Sequence, residues 1–265
     1  GALAPWGQPG IQVHFVANVE GTALQQTLAS LNPETTLFLI ASKSFTTQET
    51  LTNAHSARDW FLQQGGTAEA IQRHFIAIST NVKAAQDFGI AAQQVYPFGD
   101  WVGGRFSVWS TVGLPVVAQV GYDRFSQFLE GARAIDQHTR QAPFAANMPA
   151  ILAFLSFWYG QFWQTTAEAI LPYDALLTKL PEHLQQLLME SNGKQVDRQG
   201  QAVDYQTQHL IFGGVGTNAQ HSFFQLLHQG TQLIPCDFLA PVHPAYEVGD
   251  HHHQLMANVL AQPEA

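Results

Sequence analysis

The sequence predicts an α/β protein: parallel sheets flanked by helices, in the doubly wound manner. Three observations lead there. Short apolar runs of strand length (37–41, 75–79, 95–98) alternate with helical patterns (47–64, 82–88), as expected of βαβ units. The run at 37–41 is unbroken rather than alternating, which marks a strand buried on both faces. The 265 residues are 46% hydrophobic and only 12% charged, enough apolar chain for one large or two ordinary domains.

Taken in order, residues 11–19 read as a strand and 22–31 as a helix that Asn32-Pro33 stops. With the strand at 37–41 they make a strand–helix–strand unit and imply a parallel pair. The helix 47–64 ends at Gly65-Gly66, a fitting stop signal. A strand at 75–79, a helix at 82–88 and a short strand at 95–98 continue the alternation. From 106 to about 171 the pattern turns largely helical. Its most apolar part, 149–159, reads as a buried helix, since 11 residues fall well short of the ~20 that span a bilayer. Strand, turn, helix and strand return between 209 and 239. Asn218 is placed to cap a helix running to His228, with Gly230 just past its end. The expected domain division is 1–118 and 119–265.

Charge and cysteine narrow the class. Eleven Lys and Arg face 20 Asp and Glu, a net charge of −9, which argues against nucleic acid or an acidic membrane as partner. The lone Cys236 rules out an internal disulfide framework and leads to the expectation of a cytoplasmic protein. The opening GALAPWGQPG lacks a methionine and leads to the expectation of a segment from a longer protein.

The richest stretch for chemistry is 42–50. Ser42, Lys43, Ser44, Thr46, Thr47 and Thr50 place five hydroxyls and an ammonium between an apolar strand and a helix. Hydroxyls and free N–H groups at a helix N-terminus suit an anion, phosphate above all. An ordinary cap on a solvated loop competes with that reading. In DWVGGR, at 100–105, paired glycines permit close backbone approach and Arg105 can hold negative charge. The alternative is a Gly-Gly turn beside a surface arginine. Glu190, in MESNGK, reads from composition alone as a solvated carboxylate. Residues 214–219 match a relaxed dinucleotide fingerprint with Asp237 about twenty residues on. On the helix expected there, His221, Gln225 and His228 would share a face. The run His251-His252-His253 invites a metal, but consecutive residues do not share a helix face, and a solvated loop is the expectation.

Four motifs then stand together: SKSFTTQET at 42–50, DWVGGRFSVWS at 100–110, MESNGK at 189–194 and GTNAQHSFFQLLHQGTQLIPCDF at 216–238. Together they resemble the glucose-6-phosphate isomerase (phosphoglucose isomerase) family over essentially the whole chain. The resemblance implies two sugar-isomerase (SIS-type) domains, this chain carrying the later part of the first and much of the second. The family's Gly-rich loop and C-terminal lysine would lie outside residues 1–265, so the segment alone is expected to be inactive. The resemblance implies that Ser42, Ser44, Thr47 and Thr50 bind the phosphate, with Lys43 acting mainly through its backbone. Arg105 faces the enediolate, Gln186 lies near the sugar, Glu190 is the base and His221 opens the ring from a neighbouring subunit. Ala219 departs from the family's usual glycine. The reaction implied is the glycolytic and gluconeogenic interconversion of glucose 6-phosphate and fructose 6-phosphate, by a homodimer with no cofactor or metal. It also reassigns the glycine turn before Asn218 from dinucleotide binding to positioning His221. A non-catalytic SIS-type module that binds sugar phosphates is the alternative; it explains the hydroxyl loop but not Glu190, Arg105 and His221 together.

Overall fold

A computed structural model describes residues 1–264. The chain divides into two compact units, 7–129 and 130 onward, with residues 1–6 joining the second. The division falls inside one helix, α6 below, whereas the sequence suggested 118/119.

The first unit contains α1 (Gly21–Ala29), β1 (Phe38–Ala41), α2 (Gln48–Gln63), α3 (Ala68–His74), β2 (Phe75–Ile78), α4 (Val82–Phe88), β3 (Val95–Tyr96) and α5 (Leu114–Val120). The strands are parallel in the order β1-β2-β3, with Phe38 opposite Phe75 and Ile78 opposite Tyr96. Strand β2 is buried at all four positions, which is why its sequence, Phe-Ile-Ala-Ile, does not alternate. The Phe75 ring stacks on Phe38 at 4.6 Å and meets Phe61 of α2 edge-on at 5.8 Å. Each large apolar side chain fully buried here contributes roughly 1.5–3 kcal/mol. Helix α4 starts where the Asn81 side chain accepts from the Ala84 N–H and stops at Gly89, whose φ of 113° suits glycine.

Residues 11–19 are not a strand. They belong to no ladder, and Ile11, Phe15 and Val19 are exposed. An apolar run becomes a strand only when its backbone finds a partner, and among the described residues β1 pairs with β2 alone.

Helix α6 (Tyr122–Gln141) leads to α7 (Met148–Phe162), β4 (Ala167–Pro172), α8 (Leu180–Leu184), β5 (Leu210–Gly213), α9 (Phe224–Gln229), β6 (Cys236–Leu239) and α10 (His251–Ala261). The second sheet has the order β5-β4-β6, again all parallel, so its central strand is β4. The helical reading of 106–171 missed β4. Its Ala-Glu-Ala opening favours a helix locally, and ladders on both sides override that preference.

Helix α7 is present but not buried within this chain. Phe154, Phe157 and Phe162 are each more than half exposed, and only Gly160 is buried. The helix is apolar all round, while the chain covers a single stripe of it. No helix among the described residues is long and apolar enough to cross a membrane. The histidine run is not a loop: it opens α10, where the His253 ring bonds Asp250 at 2.9 Å.

Candidate functional site

In the first unit the predicted residues lie on loops beyond the carboxyl ends of β1 and β3, the position ligands take in open parallel sheets. After Ala41 the chain turns sharply: Ser42 is buried, Phe45 accepts a φ of 54°, and its ring is buried in the core. The Ser42 hydroxyl donates to Thr47 Oγ1 at 3.1 Å, and the Ser44 and Thr46 hydroxyls share a hydrogen bond of 2.5 Å. Thr47 is the N-cap of α2, yet its side chain makes no capping bond. The first intrahelical bond is Leu51 N–H to Thr47 O, so the amides of Gln48, Glu49 and Thr50 open the helix without carbonyl partners in it. Glu49 is the one carboxylate in that first turn and works against an anion there.

The loop is held from below by the end of β2. The Lys43 carbonyl accepts from the Thr80 N–H at 3.0 Å, the Ser79 hydroxyl at 3.0 Å and the Thr80 hydroxyl at 2.7 Å, while Asn81 donates to the Ser44 carbonyl at 3.0 Å. Ser79, Thr80 and Asn81 were not singled out in the sequence. Their signal was legible: hydroxyl and amide residues directly after a buried strand, as in SKS after β1. Lys43 does more than lend its backbone. Its ammonium donates to the Asp100 carbonyl at 2.5 Å and the Val102 carbonyl at 3.3 Å, tying the hydroxyl loop to the loop that carries Arg105.

The chain after Gly103 forms a 3₁₀ turn, Gly104–Phe106. Arg105 is partly buried, its guanidinium carbon 5.8 Å from the Phe106 ring centre. Beside it, Phe98, Trp101, Phe106 and Trp109 wall an open cleft of about 500 Å³ lined wholly by residues 97–111.

In the second unit, Gln186 and Glu190 lie on a π-helical turn, Gln185–Glu190, that continues α8. Both are exposed. The rest of MESNGK closes that turn. The Ser191 hydroxyl donates to Leu187 O, the Gly193 N–H to Met189 O and the Lys194 ammonium to Glu190 O. A side chain on Gly193 would strike the Met189 carbonyl, which is why glycine stands there.

His221 ends a 3₁₀ turn, Asn218–His221, after β5. The expected single helix from Asn218 to His228 is broken at Ser222 and Phe223, so His221 does not share a helix face with Gln225 and His228. Gly230 has a φ of −76° and is not the left-handed terminator expected. The glycines before the turn serve packing. A Cβ on Gly213 would enter the Ile170 carbonyl and one on Gly216 the Tyr173 ring. The Tyr173 hydroxyl accepts from Gln220 at 2.8 Å. The face a pyrophosphate would need against Gly216 is filled by an aromatic ring, against the dinucleotide pattern.

The sheet of this unit also holds a polar cluster unmarked in the sequence. His209 is 4% exposed. Its Nε2 meets the Thr165 hydroxyl at 2.9 Å; its Nδ1 meets the Ser156 hydroxyl at 3.2 Å and lies 3.6 Å from the Glu168 carboxylate. Burial lowers the His209 pKa, opposed by a backbone hydrogen bond with Thr165. Burial raises that of Glu168, the Asp237 charge adds to it and the Ser156 hydrogen bond opposes it. Burial first, then Asp237, pushes the Cys236 thiol up to about 11, so it is no nucleophile at neutral pH.

Comparison with known proteins bears on the whole chain. A family model described as phosphoglucose isomerase matches residues 1–265. The chain is 55% identical over 264 residues to glucose-6-phosphate isomerase 2 of Chromobacterium violaceum, covering 100% of this chain and 48% of that protein. It therefore spans about half the length of this curated relative. A crystal structure of a glucose-6-phosphate isomerase from Chlamydia trachomatis superposes with a TM-score of 0.91 at 33% identity, over 98% of this chain and 51% of that one. A hypothetical protein from Thermus thermophilus matches with a TM-score of 0.82 at 28% identity, over 99% of this chain and 65% of that one. With its parallel sheets flanked by helices, the chain belongs to the phosphoglucose isomerase family.

Proposed function

We propose that this chain forms part of an enzyme that interconverts glucose 6-phosphate and fructose 6-phosphate. The observation that carries the phosphate-binding part of the reading is the hydroxyl loop after β1, which presents Ser44, Thr47 and Thr50 with the opening amides of α2 and is tied by Lys43 to the loop bearing Arg105. Family membership and the names of the two isomerase relatives support it.

The substrate phosphate sits on Ser42, Ser44, Thr47 and Thr50, where helix amides and hydroxyls replace its water. It takes no part in the chemistry; its binding energy is available at the reacting carbons. Gln186 lies against the sugar. The ring arrives closed, and His221 moves the proton that opens it. Glu190 then takes the proton from C2 and returns it to C1, so one carboxylate serves as base and acid and no atom is gained or lost. Arg105 stabilises the enediolate oxygen between those steps. A proton shuttle between adjacent carbons calls for no redox cofactor. The functional form is a homodimer in the cytoplasm, with His221 supplied by the partner subunit.

The decisive variant is Glu190→Gln in the full-length protein, which keeps the shape and removes the base. Turnover should fall by a factor on the order of 10³ or more with substrate affinity largely retained, and exchange of the C2 hydrogen with solvent deuterium should fall with it. Near-normal exchange in this variant would assign the base elsewhere.

A further inference from the structure

Strand β5 lies at one edge of its sheet. The Leu210 and Gly214 N–H groups turn inward and donate to Thr166 O at 2.9 Å and Ile170 O at 3.3 Å. The groups of Ile211 between them face outward, and Ile211 is 1% exposed. Buried and unpaired, they would be costly. Both are met by side chains of the π-helical turn. Gln185 Nε2 donates to Ile211 O at 3.0 Å, and the Ile211 N–H donates to Met189 Sδ at 3.4 Å. Gln185 and Met189 are four residues apart, and Glu190 follows directly. Just beyond, Asn192 donates to Gln208 Oε1 at 3.0 Å, on the approach to β5. From the end of β5 at Gly213 the chain runs on through Gly214 and Gly216 to the turn that ends in His221.

We propose that Gln185 and Met189 are positioning residues for Glu190: by holding both outward backbone groups of Ile211 they set the register of the Glu190-bearing turn against β5. This rests on Glu190 being the base. A carboxylate that must reach C2 and C1 in turn tolerates little displacement, since an error of 1 Å in reacting geometry can cost about a hundredfold. A wider π-helical turn also sets the direction of Glu190 differently from an α-helical one, and the two bonds to Ile211 hold its first and fifth residues.

The test is a double-mutant cycle in the full-length enzyme. Gln185→Met keeps the side chain's length and removes the donor. It should lower kcat about tenfold while KM stays within about twofold. The Glu190→Gln background separates positioning from mere edge capping. There Gln185→Met should have little further effect, because no base remains to be displaced. A similar loss in both backgrounds, or kcat within twofold of wild type, would overturn the proposal. Met189→Leu, which keeps apolar bulk and removes the sulfur acceptor, covers the case in which Gln185→Met does not fold. It should lower kcat by about threefold, and an unchanged kcat there counts against positioning. The premise is read separately: if Glu190→Gln retains C2 exchange, the base reading fails whatever the cycle shows.

Discussion

Ser44 and Thr47 show how much one hydroxyl can do. Ser44 is paired with Thr46, and Thr47 accepts from Ser42, so the loop's oxygens are arranged by one another before any ligand arrives. Preorganisation of that kind lowers the entropy lost on binding. Removing both hydroxyls in Ser44→Ala, Thr47→Ala should weaken glucose 6-phosphate binding by about a hundredfold or more, given ~1.5–3 kcal/mol for each of two hydrogen bonds to a charged group and a factor of ten per ~1.4 kcal/mol. Titration calorimetry on the full-length protein checks it, and unchanged affinity would move the phosphate elsewhere. The residues of MESNGK have comparably local reasons. Ser191, Gly193 and Lys194 each satisfy a carbonyl of the turn they follow. The motif is legible in the sequence, but its part in closing a π-helical turn is not, since nothing local distinguishes that turn from an α-helical one.

At the scale of elements, β4 and β5 lie so close at Gly213 that a Cβ there would enter the Ile170 carbonyl. Gly213→Ala should therefore cost about 3 kcal/mol, because the obstruction is backbone in a packed core and cannot swing aside. Chemical denaturation gives the figure. The cluster around His209 links four stretches of chain: Ser156 on α7, Thr165 after it, Glu168 on β4 and His209 ahead of β5. Its two ionisable members act in opposite senses. The folded pKa of His209 is held below its ordinary value of 6.5. The unfolded chain therefore binds more protons, and the stability this confers is present above pH 6.5 and lost as pH falls through the folded value. Glu168 is raised above its ordinary 4.5, so its contribution is present below pH 4.5 and lost as pH rises through the folded value. His209→Gln should flatten the fall of Tm below pH 6.5, and Glu168→Gln should raise Tm at neutral pH. Scanning calorimetry over a pH range that brackets both transitions reads both. A His209→Gln protein with the wild-type slope would show that another group carries the acid sensitivity.

At the scale of the molecule, the proposed active site draws on two subunits, and complementation tests it. A His221→Ala chain and a Glu190→Gln chain, each nearly inactive as a homodimer, are unfolded together and refolded. With random pairing about half the dimers are mixed, and one site in each mixed dimer takes intact Glu190 from one chain and intact His221 from the other. About a quarter of all sites should recover on a closed-ring substrate. If one subunit supplied both residues, every site would keep a defect and no activity above the parents would appear.

The sequence by itself determined the elements whose signals are local. β2 was legible because a strand buried on both faces is an unbroken apolar run, and α2 because a Gly-Gly stop follows it; β1 carries the same kind of run although it lies at the sheet edge with only Ile40 of its four residues buried, so the doubly buried strand expected at 37–41 is not what forms. The hydroxyl loop and the family motifs were legible for the same reason: their residues are contiguous. The tertiary structure decided what depends on partners. Residues 11–19 are not a strand because no neighbouring strand takes up their backbone, and β4 is one because β5 and β6 flank it despite helix-favouring residues. Helix α7 has the composition of a core helix, yet the chain leaves most of it exposed, since burial is set by what packs against a surface and not by its polarity alone. The grip of Gln185 and Met189 on Ile211 spans more than twenty residues of sequence. It exists only because a sheet edge with unpaired amide and carbonyl groups must find its partners across space.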